Sequence, residues 1–226
     1  MTRRITLLLL LSLFLLLVLC LWLFRDLGLD RAGWVEGKPC AVPCWMHITP
    51  GETTPNEARQ MLQKGVFGRL RNVTRYGDDW LEAHDLEQNS VILVSGGDPP
   101  LIRKIGFRPA DSITFQQVLA NFGEPTHVVA FAFRSTMVES TAYAFNFIFM
   151  SHGLELHWSG NGDGVSPSDV SIESYEFDLV QFFEPSLEAY RNFRVNPAWV
   201  DMLRPFDGSY DFDHYCVGDR CSGDLH

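Results

Sequence analysis

The sequence predicts an α+β protein: an N-terminal transmembrane helix followed by two units, each a helix plus an antiparallel sheet. Three observations carry this expectation. Residues 5 to 24 contain no charge. Two stretches with the same helix-start signature lie 60 positions apart, at Thr54 and Thr114. The second is followed by runs in which large apolar side chains recur at every other position, the mark of strands with one buried face. With 46% apolar and 13% aromatic residues, the 226-residue chain has ample material for a packed core.

The uncharged run, "ITLLLLLSLFLLLVLCLWLF", would be about 30 Å long as a helix, the thickness of a bilayer's hydrocarbon layer. It exceeds the apolar stretch of a cleaved signal peptide, and no small-x-small site precedes Arg25, so a retained anchor is expected, with the lipid bilayer as partner of residues 5–24. Arg3 and Arg4 precede the run, whereas Arg25 and Asp26 nearly cancel after it. The positive-inside rule then leaves residues 1–4 in the cytoplasm and everything beyond 24 outside it. Cys20 ends an "LVLC" that is similar to a lipoprotein box, but Leu19 stands where such boxes carry a small residue. Residues 25–39, with three glycines and no periodicity, read as a linker. The formal net charge of −10 argues against nucleic acid as a partner, because binding to phosphate backbones rests on lysine and arginine clusters.

Beyond the span four cysteines remain: Cys40 and Cys44 in "KPCAVPCW", and Cys216 and Cys221 in "YCVGDRC". An even number in an oxidising compartment favours disulfides. The short spacings and the turn-like "VGDR" favour Cys40–Cys44 and Cys216–Cys221. Crossed pairing would instead staple the two ends of the domain together, closing longer loops. A four-cysteine zinc site usually has two residues between paired ligands, not the three and four found here, and no metal or cofactor is expected.

The first unit, residues 40–110, opens with a helix. Thr54 is its N-cap, Pro55 its first residue, and Glu57 completes a capping box, with Ala58, Met61 and Leu62 on one side and Gly65 as a stop. A polar stretch follows, "RNVTRYGDDWLEAHDLEQN", then two strands, "SVILVSG" and "LIRKIGFRP", around the turn "GGDPP". In the second unit, residues 111–226, Thr114 and Gln117 make the corresponding box, Val118, Leu119 and Phe122 form the buried stripe, and Gly123 and Pro125 end the helix. The runs "HVVAFAF", "TAYAFNFIFM", "LELHWSG" and "VSIESYEF" then read as an antiparallel meander, followed by short helices in "PSLEAYRNF" and "NPAWVDML" and an acidic loop, "DGSYDFDHYC".

A Gly-x-Thr turn (Gly51, Thr53), an inward-facing helix, a Gly-x-Pro stop (Gly123, Pro125) and a meander together resemble a repeat unit. It is that of the β-lactamase inhibitor protein and of the small lipoprotein of the outer-membrane barrel-assembly machine. The opening "PCWMHITPGETT" is also similar to that of membrane-anchored bacterial proteins that share the unit. Gly51, Thr54, Glu57, Thr114, Gln117, Gly123 and Pro125 carry the resemblance, over roughly residues 40 to 180. The first unit lacks the Gly-x-Pro stop, and the second has Asp111 and Ser112 where the turn glycine belongs. The resemblance implies an extracytoplasmic module that binds another envelope protein or has a structural role, and it brings no catalytic residues with it.

Chemistry-bearing patterns are sparse. No Gly-x-Ser-x-Gly, His-Glu-x-x-His, phosphate-binding loop or dinucleotide fingerprint occurs. In "HGLELH" a strand would place Glu155 and His157 opposite Leu154, Leu156 and Trp158, which suggests either a solvated strand face or a metal site there, with a metal-dependent hydrolase as the alternative activity. "NGDGVSPSD" and "DGSYDFD" alternate oxygen ligands as calcium loops do, without the closing glutamate. The ladder Tyr143, Phe145, Phe147 and Phe149 is either a core face or the wall of a small-molecule or lipid site.

Overall fold

The computed structural model describes residues 40–63, 72–76, 80–84, 90–109, 113–135, 140–160, 177–192 and 201–216. All of them belong to one compact unit, Ala32–His226. Its elements, in chain order, are helix α1 (Pro55–Gln63), strands β1 (Asn72–Tyr76), β2 (Trp80–His84), β3 (Ser90–Gly96) and β4 (Leu101–Phe107), and helix α2 (Phe115–Phe122). Then come β5 (His127–Ser135), β6 (Ser140–Phe149), a 3-10 turn (Met150–His152), β7 (Leu154–Gly160), β8 (Leu179–Phe183), α3 (Leu187–Asn192), β9 (Arg204–Pro205) and α4 (Phe212–Tyr215).

The strands form a single nine-stranded antiparallel sheet in the order β1-β2-β3-β4-β8-β7-β6-β5-β9. This corrects the expected architecture. In place of an anchor helix and two helix-plus-sheet units, the described residues form one continuous sheet with a few short helices, joined in its middle by β4 and β8. Among them no helix is long and apolar enough to cross a membrane, and the expected span, residues 5–24, lies outside them. One further difference concerns strands. The stretch read only as polar contains β1 and β2, whose hydrogen-bonded partners supply what their short, weakly patterned sequences do not. Beside β7 the sheet carries Leu179–Phe183; the expected strand 170–177 lies outside the described residues but for Phe177.

Both longer helices start as their local chemistry dictates. Thr54 N–H donates to Glu57 Oε2 at 2.9 Å while Glu57 N–H donates to Thr54 Oγ1 at 3.3 Å. Thr114 and Gln117 make the same reciprocal box, and the Gly123 N–H closes α2 on the Leu119 carbonyl.

Register sorts the side chains onto two faces. Phe145 and Phe147 of β6 stand opposite Trp158 and Leu156 of β7, and Leu156 stands opposite Val180 of β8. On this face the Phe115 ring of α2 lies 4.5 Å from Phe147, and Phe122 lies 6.3 Å from Phe149. Phe212 of α4 meets Phe145 edge-on at 5.6 Å. The opposite face carries Val129, Phe131, Ala144 and Ile148, which pack with Phe183, Tyr190 of α3 and Met202. In β4 the alternation breaks: the register shifts beside Val94 and Ser95, so that Arg103 and Lys104 are both half-buried while Ile102 and Ile105 are fully buried. The extra residue frees Arg103 to reach the Gly96 carbonyl at 3.1 Å and the Glu184 carboxylate at 2.9 Å.

Gly153, between β6 and β7, lies at φ +59, and a Cβ there would come within 2.1 Å of the Phe183 carbonyl oxygen. Gly153→Ala is therefore expected to destabilise the protein by about 2 kcal/mol or more, from left-handed strain plus a backbone displacement. Gly106→Ala would meet only ordinary contacts, 3.8 Å from Leu179 and 3.9 Å from Gln181. It should stay within about 1 kcal/mol of the parent. Urea unfolding of the two variants checks the contrast.

Candidate functional site

On the face away from α2, in the middle of the sheet, lies an island of polar side chains. Asn146 (β6) stands directly opposite His157 (β7), and Glu155 (β7) stands opposite Gln181 (β8). Asn146 is 0% and Glu155 2% exposed. They are joined by a 2.8 Å hydrogen bond from Asn146 Nδ2 to Glu155 Oε1, which fixes the orientation of the amide. Among the described residues neither Asn146 Oδ1 nor His157 Nδ1, both buried, has a hydrogen-bond partner. At the rim, Asp178 ties the strand ends together: its N–H donates to the His157 carbonyl at 2.9 Å, and its carboxylate accepts from the Ser159 N–H at 2.6 Å and from the Ser159 hydroxyl.

Burial lowers the His157 pKa from its ordinary 6.5; the Asp178 carboxylate acts in the opposite sense and the Lys104 ammonium reinforces the lowering. The imidazole is accordingly neutral in the neutral pH range. Serine, histidine and aspartate thus share one region. Ser159 donates its hydroxyl hydrogen bond to Asp178, and among the described residues the imidazole Nδ1 has no partner, so the nucleophile-to-base hydrogen bond of a triad is not formed between Ser159 and His157. Among the described residues no group of three histidine, cysteine, aspartate or glutamate side chains is placed to hold a metal ion.

No family model, curated protein or solved structure matches the chain. The functional reading therefore rests on geometry.

The disulfide cysteines part company. Cys40 and Cys44 are bonded, with an S–S distance of 2.06 Å. Cys216 is also in a disulfide, and Cys221 lies outside the described residues. The Cys40–Cys44 loop leads into a two-residue hairpin in which Trp45 and Ile48 exchange both backbone hydrogen bonds at 2.9 Å. Met46 and His47 at its tip have φ of 54 and 66, conformations that side chains other than glycine seldom adopt. Gly51, at φ +84, lies against the Glu184 carboxylate. Thr54, Glu57, Thr114, Gln117 and Gly123 are helix caps, and Pro125 is buried beyond the second of them.

Of the two readings of the aromatic ladder, burial fits the core face. Phe145, Phe147 and Phe149 are completely buried beneath Phe115, Phe122 and Phe212, and only Tyr143 is partly exposed, so the ladder is core. In the acidic loop, Asp207 is engaged by its own neighbours: Tyr215 OH donates to it at 2.6 Å, His214 Nε2 at 2.6 Å and Ser209 N–H at 3.1 Å. These bonds, that from Tyr215 foremost, hold its carboxyl down at about 2. Sequence reading placed His157 and Glu155 on a shared face, but it missed Asn146 as their partner. Its one signal was an amide interrupting the apolar series Ala144, Asn146, Ile148.

Two outcomes follow from this geometry. Because the folded protein holds His157 below 6.5, the unfolded chain binds more protons, so stability is full above that pH and is lost as pH falls through it. Replacing His157 with Leu should shrink the fall in the urea midpoint between about pH 7 and pH 5; His127, lowered by burial and Arg191, leaves a remainder. At the hairpin tip, His47→Gly should be neutral to stabilising by about 0.5 kcal/mol, because relief of left-handed strain exceeds the added chain entropy. His47→Val should be destabilising by about 1 kcal/mol or more, and thermal unfolding distinguishes the two.

Proposed function

We propose that the chain is a non-catalytic module that binds another protein outside the cytoplasm. The observation that carries this reading is the half-buried face of β2, β3, β4 and β8. There Glu82, Ile92, Val94, Lys104, Leu179 and Gln181 are each partly accessible, while their sequence neighbours Leu81, Leu93, Ile105 and Val180 are buried on the other side. Apolar and charged groups mixed on a rigid sheet are the composition of non-obligate protein interfaces. A fixed backbone lowers the entropy lost on binding. The Cys40–Cys44 disulfide supports an extracytoplasmic setting, since such bonds persist where thiols are not kept reduced.

A photo-crosslinking residue placed at Ile92 or Val94 in the full chain, in its native cells, tests the reading. The expected result is a discrete crosslinked protein from these positions and none from Gln60, on the exposed side of α1. Equal labelling from all three positions, or none from Ile92 and Val94, refutes it.

A further inference from the structure

Asn146 and His157 face one another across adjacent strands, and each presents a buried atom that no described residue satisfies. Directly opposed residues have Cβ atoms about 5 Å apart, so one small molecule can reach both side-chain tips. Asn146 Oδ1 is an acceptor, because Nδ2 is committed to Glu155. His157 Nδ1 is an acceptor in one neutral tautomer and a donor in the other. An occupant must therefore donate to the amide and be able either to donate to or accept from the imidazole. A metal ion fits poorly: the ligands would be one amide oxygen and one imidazole, in a place where the Lys104 ammonium already acts on that same ring.

We propose that a single ordered water bridges Asn146 Oδ1 and His157 Nδ1 and forms a permanent part of the sheet's polar island. Water donates twice and accepts twice, so it serves either imidazole tautomer, and buried polar atoms left over by the fold are where internal waters lodge. The bridge links β6 to β7 beside the Asn146–Glu155 bond, giving the island a side-chain connection between its two strands at each end.

A crystal structure of the full chain at a resolution that shows ordered water tests this, together with water-to-protein cross-relaxation NMR in solution. The expected result is one density peak at about 2.6–3.2 Å from both atoms, with cross-relaxation from a long-lived water to the His157 ring. The Asn146→Leu variant should lose that signal while its remaining amide spectrum persists. A direct bond between the two side chains, empty density between them, or a zinc-dependent shift of the His157 ring signals on titration with zinc alone would each overturn the proposal. If the variant does not fold, the density and the ring signal of the parent protein decide.

Discussion

The antiparallel pairing of β4 with β8 is the constraint on which the rest of the structure depends. Four residue pairs, from Lys104↔Phe183 to Phe107↔Val180, convert a run of four strands and a run of five into one sheet and remove two edges that would otherwise present open backbone. Other elements converge on this seam. Phe107 meets Phe182 edge-on at 5.6 Å across it, and Trp45 stacks on Phe107 from outside. The Arg103–Glu184 ion pair closes one end, where Gly51 fits against the same carboxylate. Gly51 N–H also donates to the Ile102 carbonyl and Ile102 N–H to that of Thr53, so the turn before α1 is stitched onto β4.

The seam also explains why the two faces differ. One has the aromatic residues of α2 and α4 laid over β6. The other is apolar only toward β5 and β6, under Tyr190 and Met202, and turns half-exposed toward β2 and β3. Asn146 and Glu155 sit at that transition. A buried carboxylate and amide are costly unless bonded, and the 2.8 Å bond between them meets part of the requirement. Their position marks where the apolar cover ends, so the polar island sits at the border between the covered and the half-exposed parts of that face.

What the sequence made legible was local or periodic. Thr54 with Glu57 and Thr114 with Gln117 announce helix starts because capping is settled within four residues. The Tyr143 to Phe149 series announces a buried strand face because period two needs no partner to be seen. The joining of the two halves was not legible, since β4 and β8 are brought together by pairing between segments more than 70 residues apart, which no local pattern encodes. Nor was the role of the tail. "DGSYDFDHYC" looks like a solvated acidic loop, yet Phe212 is buried against Phe145, and β9 pairs with the start of β5. At the site, Glu155 and His157 were placed on the right face by alternation, while the burial that gives them meaning comes from neighbours distant in the chain.

The N-terminal hairpin shows how the seam extends its reach. Two consecutive residues with side chains in the left-handed region, Met46 and His47, are unfavourable in isolation and persist only where surroundings over-determine them. Here the determinants are a disulfide five residues wide, the His47 N–H directed at Cys40 Sγ at 3.3 Å, and Trp45 held on Phe107. Pro43, inside the disulfide loop, lies 3.1 Å from where a Gly153 side chain would begin, and the Gly153 carbonyl accepts a 2.8 Å hydrogen bond from the Phe183 N–H at the end of β8. The strained tip is thus supported from both strands of the seam, β4 through Phe107 and β8 through Phe183. The Cys40–Cys44 bond closes the loop that holds Pro43 beside Gly153, so this bond and the integrity of the central strand pairing act on the hairpin in the same direction.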